Sequence, residues 1–168
     1  MKELIFLRHA KSDWGHEFLK DIDRCLSERG YTDAYFMSAW FAKNQKNPSL
    51  MLCSSATRAL STGLIFARAM ELDMRTFVLE SRIYETTAAK LLALIREQDD
   101  KNERLMLVGH NPSFTDACNE IADEHYIDNI PTCGIVSFKI DIATWRDIAP
   151  KKGKLNFFQY PKNFKNQD

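Results

Sequence analysis

Two histidines and two arginines in this chain stand at or just beyond the ends of short apolar runs. Arg8 and His9 follow Leu4-Ile5-Phe6-Leu7, Arg58 comes four residues after the Ser54 that closes Leu50-Met51-Leu52-Cys53, and His110 follows Leu105-Met106-Leu107-Val108-Gly109. A neutral imidazole can attack phosphorus in line and hold the phosphoryl group covalently, splitting one difficult displacement into two easier ones. Guanidinium forks and a second imidazole can stabilise the charge on the equatorial oxygens, so this set is a sufficient kit for phosphoryl transfer. His9 is therefore the candidate nucleophile, with Arg8, Arg58 and His110 as candidate ligands of the phosphate oxygens.

Arg58 carries a local conflict. A helix beginning near Ala56 puts this cation in the first turn, where the helix dipole disfavours it by roughly 0.3–1 kcal/mol. Conflicts of this kind mark functional positions. An anion bound among the same free N–H groups would remove it, because the arginine and the amides attract phosphate together.

The elements that must position these residues follow from the apolar pattern. Short runs with β-branched or aromatic members suit strands covered on both faces of a parallel sheet, and ligands gather beyond the carboxyl ends of such strands. Leu60, Leu64, Ala67 and Met70 continue the second run at helical spacing, as do Phe114, Ala117, Cys118, Ile121 and Ala122 after the third, with Pro112 opening that helix. Ser27 caps a helix through Tyr31, Ala34, Tyr35, Met37, Trp40 and Phe41 that leaves Arg29, Asp33 and Lys43 outside its apolar stripe. Residues 75–80 read as a further strand, and Thr86 or Thr87 caps a helix through Leu91, Leu92, Leu94 and Ile95. Residues 135–142 and 154–160 alternate and read as an antiparallel addition at the sheet edge. Strands alternating with helices give an α/β class: a three-layer α/β/α sandwich on a mainly parallel sheet with an antiparallel edge strand.

Composition narrows the partners. A chain of 168 residues fits a single domain spanning 1–168, and 45% hydrophobic with 27% charged residues is ordinary for a globular protein. No apolar run is long enough to cross a bilayer and no secretory signal precedes the first strand, so no membrane partner and a cytoplasmic location are expected. A formal net charge of zero argues against a nucleic-acid footprint. Lys151, Lys152, Lys154, Lys162 and Lys165 read as a solvated tail. Cys25, Cys53, Cys118 and Cys133 show no paired spacing and read as buried thiols, while His16 and His125 read as surface residues. No H-x-x-x-H or H-x-E pairing occurs, and arginines are poor neighbours for a cation, so neither a metal nor another cofactor is expected.

The motifs together resemble the histidine phosphatase superfamily, the phosphoglycerate mutase-like fold, and within it the small phosphohistidine phosphatases of the SixA type. Arg8-His9-Ala10 is similar to the Arg-His-Gly/Ala signature, with Ser12 where Ser or Thr often follows. Residues 21–30 resemble the Arg-Pro-Leu-Thr-x-x-Gly segment, with Cys25 for proline and Ser27 for threonine. Residues 54–62 resemble Ser-x-x-x-Arg-Ala-x-x-Thr, and Val108-Gly109-His110-Asn111-Pro112 matches Val-Gly-His-Asn-Pro. The resemblance implies His9 as the phosphorylated nucleophile, Arg8, Arg58 and Ser12 on the phosphate, and His110 as a second catalytic histidine. It implies a metal-independent phosphatase for phosphohistidine proteins or another phosphorylated substrate. The alternatives are a small-molecule phosphomonoesterase or mutase, and a phosphoprotein-binding module without turnover. Of the two carboxylates beside Tyr84, Glu85 in the loop is the candidate general acid ahead of Glu80 in the strand, although a helix-start glutamate favoured by the dipole would look the same.

Overall fold

The first apolar run is buried along its whole length because its strand lies in the middle of a sheet with helices on both sides. In the computed structural model, which describes residues 1–165, β1 (Lys2–Arg8) sends Leu4 and Phe6 into one core and Ile5 and Leu7 into the other. Residues 166–168 of the expected 1–168 domain lie outside the described residues. The first core is completed by α3 (Ala88–Arg96) and α4 (Ser113–Ile121), the second by α1 (Glu28–Asn44) and α2 (Thr57–Ala69). Period-two alternation thus serves two cores at once, which is why the run reads as continuously apolar.

Among the described residues six strands lie in the order β3-β2-β4-β1-β5-β6, with β2 Leu50–Cys53, β3 Phe77–Leu79, β4 Arg104–Gly109, β5 Ile135–Ile140 and β6 Gly153–Gln159. β1 to β4 are mutually parallel, β5 runs antiparallel to β1, and β6 antiparallel to β5. The mixed α/β sandwich is the class expected. Because β4 is inserted between β1 and β2, the strand ends carrying Arg8 and His9, Ser54, and His110 are adjacent. A short α5 (Lys162–Lys165) packs Phe164 against Phe36 and Trp40 of α1.

Local chemistry fixes the helix starts. Ser27 Oγ accepts from Gly30 N at 3.0 Å and caps α1. A Cβ at Gly30 would lie 2.0 Å from the Lys11 carbonyl oxygen, so only glycine lets α1 approach the segment leaving β1. Thr87, not Thr86, caps α3 by accepting from Lys90 N at 3.3 Å. α2 has no side-chain cap at Ala56.

Three expectations need correction. Tyr31 and Tyr35 face outward while Asp33 is buried, because the inward stripe of α1 runs through Gly30, Ala34, Met37 and Phe41 and Asp33 lies on its flank. Asp33 is balanced there by Arg29 at 3.5 Å and Lys165 at 3.9 Å. The strand expected over 75–80 is only β3, since the Asp73 side chain accepts from Arg75 N and starts a 3-10 turn, Met74–Thr76. Cys25 is exposed in a loop, leaving three buried thiols.

Candidate active site

His9 leaves β1 with its backbone locked on both sides: its N–H donates to Gly109 O and its carbonyl accepts from Cys133 N, each at 3.0 Å. Its Nδ1 lies 2.7 Å from the Ala10 carbonyl oxygen. A carbonyl only accepts, so Nδ1 carries the proton and Nε2 keeps its lone pair. Burial pushes the imidazole down to about 3, and the neighbouring His110, Arg58 and Arg8 also lower it. The ring is neutral at pH 7.

The His110 ring centroid lies 5.2 Å from that of His9. His110 Nε2 is 2.7 Å from Ser54 Oγ, which also accepts from Ala56 N at 3.3 Å. When the serine hydroxyl donates to Nε2, the imidazole proton sits on Nδ1, a buried atom without a partner among the described residues. Burial first, and then the Arg58 charge, holds His110 at about 4, so it too is neutral. Gly109 beneath it is pressed by Ile83 and Phe114, where a Cβ would come within 2.6 Å of each.

The arginines are held from outside the cluster. Arg8 donates from Nη1 to Ile130 O at 2.7 Å, and that carbonyl also accepts from Asn111 Nδ2 at 3.0 Å. Arg58, in the first turn of α2, is buried and donates from Nη1 to Asp21 O at 2.7 Å and from Nη2 to Asp21 Oδ2 at 3.1 Å. The Nε atoms of both arginines are buried without a partner among the described residues. Thr62 joins α2 to β1, accepting from Ala10 N at 3.0 Å and donating to Arg58 O at 2.8 Å. Two neutral imidazoles and two guanidiniums with unused donors thus meet at one end of the sheet, an arrangement suited to a tetrahedral oxyanion.

Ser12 is buried, with its hydroxyl accepting from Arg24 Nη1 at 2.6 Å. Glu85 is exposed at a φ of 51° and lines a groove of about 440 Å³ with Arg82, Tyr84, Thr86 and Lys90. Glu80 is engaged by Arg82. His16 and His125 are exposed. Asp21, Arg24, Tyr84 and Thr62 also surround the cluster, and sequence reasoning gave none of them a role. Asp21 and Arg24 lie in the 21–30 segment already marked by its motif, whereas Tyr84 meets Asp21 across 63 positions, a pairing no spacing reveals.

The fold and this clustered site define an α/β protein of the phosphoglycerate mutase-like type. The model of the histidine phosphatase superfamily (branch 1) matches residues 4–111, and the chain belongs to that superfamily. The uncharacterized protein Rv1276c of Mycobacterium tuberculosis is 27% identical over 165 residues, 93% of this chain and 100% of its own length. Among solved structures, the proposed phosphohistidine phosphatase SixA from Agrobacterium tumefaciens superposes with a TM-score of 0.80 at 27% identity, covering 95% of this chain and 98% of its own. The protein histidine phosphatase SixA complexed with tungstate gives 0.75 at 18% identity, covering 96% and 98%.

Proposed function

We propose that the chain is a metal-independent phosphatase that passes a phosphoryl group through His9, acting on phosphohistidine proteins or another phosphorylated substrate. The observation that carries the reading is His9 itself: a buried neutral imidazole, its Nδ1–H held by the Ala10 carbonyl and its Nε2 free, beside His110, Arg58 and Arg8. The Nε2 lone pair forms the N–P bond as the bond from phosphorus to the leaving group breaks. The Ala10 carbonyl supports the positive ring that results. Water then attacks phosphorus, the N–P bond returns its electrons to Nε2, and phosphate leaves. Arg8, Arg58 and His110 Nδ1–H serve the equatorial oxygens throughout, which is the work otherwise given to a metal. That a structural neighbour of the same fold forms a complex with tungstate, a phosphate-like oxyanion, is in keeping with this reading.

Trapping tests the intermediate. Turnover with a phosphohistidine protein, quenched in alkali and read by mass spectrometry, is expected to place phosphate on His9. Label on another residue, or full activity in His9→Ala, overturns the mechanism.

A further inference from the structure

One carboxylate gathers donors from separate segments of the chain. Asp21, in the 3-10 turn Asp21–Asp23 after β1, accepts from Tyr84 Oη at 2.6 Å, Arg58 Nη2 at 3.1 Å and Arg24 Nε at 3.1 Å. Its backbone carbonyl takes Arg58 Nη1 at 2.7 Å. Arg58 is thereby gripped by both Nη groups, while its buried Nε has no partner among the described residues. Tyr84 is tied in by the same carboxylate, with its ring centroid 5.5 Å from that of His110 in an edge-on arrangement. The Tyr84 bond, followed by Arg24 and Arg58, draws the Asp21 pKa down to about 2, so the gripping carboxylate is ionised at neutral pH.

We infer that Asp21 is a positioning residue for the oxyanion site, presetting the Arg58 fork and, through Tyr84, joining the segment after β1 to the segment after β3 beside His110. The inference rests on the proposed role of Arg58 as a phosphate ligand. The sign of its effect separates it from plain electrostatics. A carboxylate near an anion site repels the anion, so by Coulomb's law alone removing Asp21 tightens oxyanion binding. Positioning demands the reverse, because an ungripped arginine must be ordered each time the anion binds.

Tungstate titrated calorimetrically into the full chain distinguishes the two, with wild type, Asp21→Ala, Asp21→Asn, Arg58→Ala and the Asp21→Ala/Arg58→Ala double variant. Asp21→Ala is expected to weaken tungstate on the order of ten- to a hundredfold, the scale for losing an outer-shell partner that orients a ligand. Asp21→Asn keeps an acceptor oxygen, so it is expected to fall between, and it keeps the test open should Asp21→Ala fail to fold. The Asp21→Ala effect should vanish in the Arg58→Ala background, the mark of two residues acting as one unit. In turnover, Asp21→Ala should raise KM and lower kcat, with Tyr84→Phe changing both less and in the same directions. Tighter tungstate binding in the Asp21 variants, or independent addition with Arg58→Ala, overturns the inference alone. Wild type that binds no tungstate overturns the phosphate site and the inference with it.

Discussion

With His9 held at about 3 and His110 at about 4, the folded chain keeps two imidazoles neutral where an unfolded histidine, titrating near 6.5, would take protons. Between those values the unfolded state binds more protons than the native state. Stability from these two groups is therefore full above about pH 6.5 and declines as pH falls toward 4, by at most about 1.4 kcal/mol per pH unit for each histidine. Urea midpoints measured from pH 7.5 to 4.5 should fall more steeply for wild type than for His9→Gln or His110→Gln; equal slopes would contradict the burial of neutral rings. Arg58 allows a second test at this scale. Arg58→Ala should lower turnover by about a hundredfold or more, the scale for one preorganised stabiliser of transition-state charge, and Arg58→Lys should also be impaired because a point charge cannot replace a planar fork. Chelators should leave activity intact. Activity lost to EDTA and restored by zinc or magnesium would point instead to a metal mechanism.

The elements that carry these side chains depend on a few contacts between them. Thr62 of α2 is fully buried and bonds both to Ala10, just after β1, and to the Arg58 carbonyl, so it couples the helix bearing one arginine to the strand bearing the nucleophile. Thr62→Val keeps the shape and leaves Ala10 N–H buried without an acceptor, which costs about 1–3 kcal/mol. Thermal or denaturant unfolding should show that loss, with lower kcat as His9 and Arg58 drift apart; an unchanged midpoint would remove Thr62 from the link. Much at this scale was readable from sequence. β1, β2 and β4 announced themselves because burial on both faces leaves no polar interruption, and Ser27 marked the start of α1 as a cap residue should. The misreadings have physical causes. Tyr31 and Tyr35 fit an apolar stripe by type, yet the stripe is set by close approach at Gly30, which turns them outward. The strand before Glu80 was shortened by an Asp73 side chain that competes with the ladder for backbone N–H groups.

At the scale of the molecule, sheet order decides what can meet. Inserting β4 between β1 and β2 brings residues 9, 58 and 110 together from motifs legible one at a time, whereas the Asp21–Tyr84 contact joins two loops and leaves no local pattern to read. The same architecture frames the proton donor. Glu85 lies in the loop before α3, exposed, at a left-handed φ of 51° that a non-glycine residue adopts at some cost. A general acid matters in proportion to how poorly the leaving group departs, contributing on the order of 10²–10⁴-fold where it is needed. Phosphohistidine and aryl phosphates release good leaving groups, and alkyl phosphates do not. If Glu85 protonates the leaving group, Glu85→Gln should strongly reduce hydrolysis of an alkyl phosphate while barely changing p-nitrophenyl phosphate or a phosphohistidine protein. Small equal changes on all three would make Glu85 a surface residue at the start of α3. They would leave a site built from His9, His110, Arg8 and Arg58 alone, suited to substrates whose leaving group needs no acid, as the nitrogen of phosphohistidine does not.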